Sequence, residues 1–466
     1  MRVTVINGSP KGQDSVTLRF VEFLQLLVTG SEFTTFHVGK QIRGFESREE
    51  KMAELKASVA GADLVLFATP VYYMTVPSQL MRFVALMMHN EHLPVFAGKR
   101  VAFLTTSIHF FDHTAFDYMR ALFDKAGMLY TYGFSAHMED LTKKEGQGKL
   151  ALFAKKLAEA VQKRQHMPRR FLRHHEAPFR FAPSRGFSLL ENADKRVLIL
   201  ADSEREDSNL PAMIERFSSN FMNPPKVVWL KDLKMASGCI GCLKCAMDLH
   251  CVFTERDGHR ALLDEEVVAS DILVMASDIT NCYLTPAWQQ FFTRLFFNGH
   301  VPYFSYKQVG FLFSGPYTNY PYIREIFDGF VGYAKNGIYD YLSDECADQG
   351  ELEEHLDRMA QVLLADSERR YFPAPKFQAI SAQKLFRDEI FDQLRVVFQN
   401  DHRYFKKHGM YDFPTKKLGK RLVMTMLSWL LRIPGLRRRF YTKEMIPGML
   451  RPYEKVLRPM RRASEG

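Results

Sequence analysis

Short apolar runs recur along this chain, each followed by polar turn residues and then by an amphipathic helical pattern. "RVTVIN" from Arg2, "ADLVLFATP" from Ala62 and "KRVAFLTTS" from Lys99 are near-continuous apolar stretches of strand length. Strands buried on both faces need such runs, so the pattern predicts a parallel sheet covered by helices on both sides. The series then returns. "RVLILADSEREDSNLPAMIERF" from Arg196 repeats "RVTVINGSPKGQDSVTLRFVEFL" from Arg2, with Ser203 matching Ser9 at an offset of 194. "SDILVMASDITNCYLTPAWQQFF" repeats "ADLVLFATPVYYMTVPSQLMRF", and "KQVGFLFSG" from Lys307 repeats the run from Lys99, both at an offset of 208. The repeat predicts two tandem α/β domains of the doubly wound class, and the difference of 14 residues predicts an insertion between the first and second matched strands of the second copy.

The boundaries follow from this pattern: a first domain over 1–163, a linker over 164–194, a second domain over 195–367 and a basic, mostly helical C-terminal extension over 368–466. The linker carries three prolines between Arg164 and Phe187 and no clear period. With 466 residues, 46% hydrophobic and 25% charged, the chain can build two or three ordinary cores. Charge changes the picture more. Of the formal +10, residues 401–466 carry 17 Lys and Arg against 5 Asp and Glu, so the body is near neutral and nucleic acid is not an expected partner. Within that tail, "KKLGKRLVMTMLSWLLRIPGLRRRF" from Lys416 to Phe440 is too short and too interrupted by Pro434 to span a bilayer, which takes about 20 apolar residues. It suits either a helix packed across the two sheets with a solvated basic face, or an interfacial helix on an anionic membrane. No secretory signal precedes the strand at Arg2, so the expected location is cytoplasmic, with membrane contact through the tail as the peripheral alternative. Six cysteines do not make a disulfide framework.

In open α/β sheets ligands lie beyond the carboxyl ends of the strands, at the switch point, which directs attention to three loops of the first copy. "NGSPKGQDSVT" offers glycines for close approach, hydroxyls at Ser9, Ser15 and Thr17, the cation Lys11 and a helix N-terminus, together a phosphate cradle. "TPVYYMTVPSQL" sets Tyr72 and Tyr73 beside a proline, suited to a planar ring, and "TTSIHFFDHT" closes the set. His109 and His113 lie in the third loop, where a flavin contact and a surface or packing role are both open. "GSPKGQDSVT" followed by "PVYYMTVPSQLMRF" resembles the NAD(P)H-dependent FMN reductases of the flavodoxin-like fold, and "CIGCLKCAMDLHC" resembles the cysteine motif of their two-domain iron–sulfur flavoprotein branch. The resemblance covers roughly Met1 to Leu150 and Lys195 to Cys346. It implies FMN with its phosphate at Ser9, Lys11, Ser15 and Thr17, and its isoalloxazine beside Pro70, Val71, Tyr72, Tyr73, Met74, Thr105, Thr106 and Ser107.

The insertion holds four of the six cysteines, Cys239, Cys242, Cys245 and Cys251. Their C-x2-C-x2-C-x5-C spacing fits a [4Fe–4S] cluster; a zinc site or unligated thiols are the alternatives. Cys282 and Cys346 read as core or surface thiols. The second copy replaces Gly8-Ser9-Pro10-Lys11 with Asp202-Ser203-Glu204-Arg205, followed by Glu206 and Asp207. Those carboxylates would repel a phosphate dianion, so one FMN in the first copy and one cluster in the second are expected. Reductases of this type commonly pair with the flavin near the interface, which implies an internal pseudo-dimer. The expected function is NAD(P)H-dependent FMN oxidoreduction, with electrons passing through the cluster to a one-electron acceptor such as a redox protein and no side chain acting as general acid. An electron carrier or redox sensor without nicotinamide turnover is the alternative.

Overall fold

The computed structural model describes residues 1–171, 179–184, 189–413, 418–451 and 458–459. Parts of the expected linker and the start of the basic stretch at Lys416 and Lys417 lie outside these residues. The chain divides into one compact unit, Met1–Tyr404, and a second, Phe405–Gly466.

The first unit contains two parallel sheets. In the first, β1 (Arg2–Asn7), β2 (Glu32–Phe36), β3 (Leu64–Pro70), β4 (Arg100–Ser107) and β5 (Leu129–His137) lie in the order β2-β1-β3-β4-β5. In the second, β6 (Val197–Asp202), β7 (Lys226–Trp229), β8 (Ile272–Thr280), β10 (Gln308–Ser314) and β11 (Gly337–Ser343) lie in the order β7-β6-β8-β10-β11, with β9 (Tyr283–Leu284) antiparallel on β8. Both orders are the flavodoxin-like 2-1-3-4-5, so each sheet has a switch point beside its first strand. Even the register repeats: Val3 pairs with Leu64, and their sequence equivalents Val197 and Ile272 pair with each other.

The central strands are buried almost throughout, as their continuous apolar runs require. One face of the first sheet packs Val3, Val5 and Leu66 against Leu18, Leu24, Phe153 and Leu157 of two covering helices. The second sheet does the same with Ile199, Val274, Phe217 and Leu356. The remaining faces share one core that includes Ile6 and Phe67 from the first sheet and Leu198 and Leu200 from the second. There the helix Ser78–Met87 packs on the helix Pro286–Arg294, its equivalent at the offset of 208. The cysteine insertion follows β7, largely irregular with a short turn of helix at Cys245–Asp248.

In the second unit the helix Leu418–Leu430 exposes Leu422, Met426 and Trp429. Among the described residues no helix is long and apolar enough to cross a membrane.

Candidate functional site

Where β1 ends at the first switch point, Asn7 shapes the loop that follows. Its amide donates to the carbonyl of Gly12 at 3.0 Å, and its Oδ1 accepts from the Ser9 N–H at 3.0 Å. Gly12 takes φ +61°, and a Cβ on Gly8 would come within 2.6 Å of Leu80, so both positions depend on glycine. Ser9, Ser15 and Thr17 are buried in this loop, and Thr17 shares a 2.6 Å hydroxyl contact with Thr106 of β4.

The loop after β3 holds Tyr73 at φ 55° and Met74 at φ 68°, two successive left-handed residues that are not glycine. Such conformations cost of order 1 kcal/mol each and persist only where surrounding contacts over-determine them. Here Gln289 from the second half donates to the carbonyls of Tyr72 and Val76, both at 3.0 Å, and Tyr73 stacks on Phe292 at 6.3 Å. The equivalents in the second half, Asn281 and Cys282, are also left-handed, so the bend survives where the sequence does not. Burial, then the neighbouring Cys239 and Cys242, raises the pKa of Tyr72, which keeps it a phenol.

A cavity of about 490 Å3 joins these loops. Ser9, Lys11, Ser15 and Thr17 line one end, Pro70, Val71, Tyr72, Tyr73 and Met74 the next wall, and Thr106 and Ser107 complete it. Thr105 is not among the lining residues, because its hydroxyl donates to the Thr69 carbonyl at 2.7 Å inside the sheet. His109 and His113 also lie off the cavity, near Asp112 at 2.9 Å and Glu325 at 3.0 Å, which favours the surface and packing roles.

Cys239, Gly241 and Leu243 of the insertion line that same cavity. Gly241, at φ +66°, sits so close that a Cβ there would lie 2.0 Å from the Tyr72 hydroxyl and 2.9 Å from Lys11. All four motif cysteines converge on an adjoining cavity of about 20 Å3, walled by Phe253, Phe296 and Phe297. The Gly241 N–H donates to Cys239 Sγ at 3.3 Å. Burial first, and then the other cysteines, pushes the thiols of Cys239 and Cys245 up to about 11 and 12. Buried as they are, Cys239 and Cys245 become thiolates only beside compensating positive charge. Among the described residues no three His, Cys, Asp or Glu are close enough to hold a single metal ion. Cys282 is buried and Cys346 half-buried, away from this cavity.

A buried ion pair, which local sequence did not announce, holds the insertion down. Arg294 and Asp257, 1% and 0% exposed, meet at 2.8 Å, and Arg294 also donates to the Ser237 carbonyl at 3.1 Å. Burial would raise the Asp257 carboxyl, but the Arg294 hydrogen bond and the Ala236 N–H hold it below its ordinary value.

In the second half the loop equivalent to Gly8–Lys11 is closed by its own chain. Asp278, the sequence equivalent of Pro70, accepts through Oδ2 from Ser203 Oγ at 2.8 Å, the Glu204 N–H at 2.9 Å and the Arg205 N–H at 3.0 Å, and through Oδ1 from Ser208 Oγ. A carboxylate thus stands where the backbone could meet a phosphate. Arg205 is drawn aside to Asp207 at 3.0 Å.

Residues 1–112 match the family model for NADPH-dependent FMN reductase. The matched segment contains every cavity-lining residue named from the three loops of the first half. Solved structures similar to the chain include an FMN-dependent NADH-azoreductase from Bacillus anthracis str. Ames Ancestor, 16% identical over 34% of this chain and 100% of that one, with a TM-score of 0.27. FerB, a flavoenzyme NAD(P)H:(acceptor) oxidoreductase from Paracoccus denitrificans, is 20% identical over 35% of this chain and 97% of that one, with a TM-score of 0.29. No curated protein matches the chain.

Proposed function

We propose that this chain is an NAD(P)H-dependent FMN oxidoreductase of the iron–sulfur type, built as an internal pseudo-dimer with FMN in the first half and a [4Fe–4S] cluster on Cys239, Cys242, Cys245 and Cys251. The observation that carries the reading is the shared cavity: Cys239 and Gly241 line the same space as Ser9, Lys11 and Tyr72. Packing of the equivalent helices Ser78–Met87 and Pro286–Arg294 supports the pseudo-dimer, because a two-fold interface uses the same patch from both partners. Bound FMN would accept the nicotinamide hydride and a cubane cluster would carry single electrons onward to a redox partner.

The chain's own residues supply the site. Lys11 and the hydroxyls of Ser9, Ser15 and Thr17 would bind the phosphate, and the Tyr72–Met74 bend, fixed by Gln289, would seat the ring. The Arg294–Asp257 pair anchors the cysteine loop to the helix Pro286–Arg294, and Gln79 of the first half donates to the Cys239 carbonyl at 3.2 Å. The exposed Leu422, Met426 and Trp429 of Leu418–Leu430, with exposed Arg421 beside them, suit peripheral contact with an anionic membrane; sedimentation with anionic vesicles at low salt that Trp429→Ser abolishes is the expected result.

Anaerobic oxidation of NADPH or NADH, with ferricyanide as the one-electron acceptor, tests the enzymatic reading. Turnover that falls in Cys251→Ser while FMN stays bound supports it. FMN and cluster without nicotinamide oxidation would make the protein a carrier or sensor instead.

A further inference from the structure

The cavity extends past the flavin loops to an aromatic end made by the second half and the segment after it, with Phe296, Phe304, Phe330, Tyr333, Phe386 and Phe398 in its wall. Among the described residues no Asp, Glu, Lys or Arg lines that end. One titratable pair is set there. His300 lines the cavity, with Nδ1 3.0 Å from Oδ1 of Asp401, and its backbone N–H donates to the same oxygen. The two side chains are 9% and 0% exposed, and the Phe386 ring lies 3.9 Å from the imidazole, centroid to centroid. His300 is the sole ion-pair partner found for Asp401 among the described residues, and Oδ2 of Asp401 is buried without a hydrogen bond. Gly299, at φ +60°, permits the approach, since a Cβ there would lie 2.5 Å from Asp401 Oδ1. Tyr333 donates to the His300 carbonyl at 2.5 Å; burial, then Asp401 and Tyr404, raises its pKa, so it stays protonated.

A carboxylate on Nδ1 fixes the tautomer and orientation of an imidazole and leaves Nε2 to exchange a proton. Nothing in the flavin or cysteine readings uses this pair. We propose that the aromatic end binds a flat, uncharged, conjugated carbonyl compound as electron acceptor, and that His300, with Asp401 as its positioning residue, gives the proton to the carbonyl oxygen. The source of electrons rests on the reading above. A hydride originating in NAD(P)H adds to the far carbon of the conjugated system, and the π electrons shift to oxygen. The Nε2–H bond of doubly protonated His300 breaks as an O–H bond forms, leaving a neutral imidazole that keeps its Nδ1–H on Asp401, and solvent returns the proton to Nε2.

The test uses the purified protein with its cofactors. Binding is read by displacement of the fluorescent probe N-phenyl-1-naphthylamine, comparing 4-phenylbut-3-en-2-one with 1-phenylbut-1-ene, which has a similar shape but no oxygen. The ketone is expected to bind about tenfold more tightly, the worth of one hydrogen bond of ~1.4 kcal/mol. His300→Leu should erase that preference while leaving the hydrocarbon's affinity within about twofold, and Val397→Trp, at the cavity rim, should exclude both ligands. With NADPH, kcat for the ketone should fall about a hundredfold in His300→Leu, the scale of general acid catalysis, and tenfold or more in Asp401→Asn, with KM for NADPH unchanged. Probe exclusion from the FMN-loaded protein, or a ketone preference that survives His300→Leu, would overturn the proposal. If the protein binds no FMN but keeps the His300-dependent ketone preference, the aromatic site stands and the flavin reading falls.

Discussion

Replacing Asp278 with alanine should open the closed loop of the second half. The carboxylate is fully buried and accepts two backbone N–H groups and two hydroxyls. Hydroxyls can rotate to new partners, but the Glu204 and Arg205 N–H groups cannot. Each hydrogen bond to a charged acceptor contributes about 1.5–3 kcal/mol, so the two together are worth roughly 3–6 kcal/mol. Asp278 also raises the pKa values of Asp202 and Glu204, so its removal relieves repulsion and returns part of that. A net loss of roughly 2–4 kcal/mol remains, or a fall in melting temperature of roughly 10 °C for a domain of this size. The two freed N–H groups should then accept phosphate weakly, against the remaining repulsion of Asp202, Glu204, Glu206 and Asp207. Inorganic phosphate at about ten times its Kd would restore ~1.4 kcal/mol to the variant. Scanning calorimetry of FMN-saturated wild type and Asp278→Ala, in phosphate and in an uncharged buffer, reads both effects. A variant that melts within about 2 °C of wild type, or phosphate stabilisation equal in both proteins, would refute the reasoning.

Arg294→Met strands the Asp257 carboxylate in the interior and should cost about 3–5 kcal/mol, seen in urea unfolding together with loss of bound iron. Gly241→Ala drives a methyl into the Tyr72 hydroxyl at a left-handed position, so FMN and iron content should fall together; loss of only one would separate the two loops. Partial desolvation first, and then Asp202 and Asp278, pushes Glu204 up to about 7 although the side chain is still largely exposed. Because that value lies above the ordinary 4.5, its contribution to stability is complete below pH 4.5 and is lost as pH rises through 7. Thermal stability should therefore decline from about pH 5 to 8, by a small amount given the solvent at this side chain, and Glu204→Gln should flatten the decline.

The two parallel sheets were legible because burial on both faces forces continuous apolar strands, and repeated strands keep their spacing. The offsets of 194 and 208 are reproduced residue for residue in the pairing of Val197 with Ile272. The positions of the loops after β1 and β3 were legible because each is a local segment ending a strand. Thr105 and Thr106 are successive strand residues and point to opposite faces, so Thr106 meets Thr17 while Thr105 donates to the Thr69 carbonyl. Contacts distant in sequence left no local trace. The acidic character of the second loop was visible, yet the carboxylate that closes it comes from Asp278, 75 residues beyond Ser203. Arg294 finds Asp257 across 37 residues and His300 finds Asp401 across 101, pairings that only the fold brings together.

The most direct test of the central claim is anaerobic purification followed by FMN, iron and acid-labile sulfide assays on one sample. The division of labour between the halves predicts about one FMN, four irons and four sulfides per chain, with iron and sulfide lost in Cys251→Ser and FMN retained. Flavin accompanied by zinc without sulfide, or two FMN per chain, would contradict it.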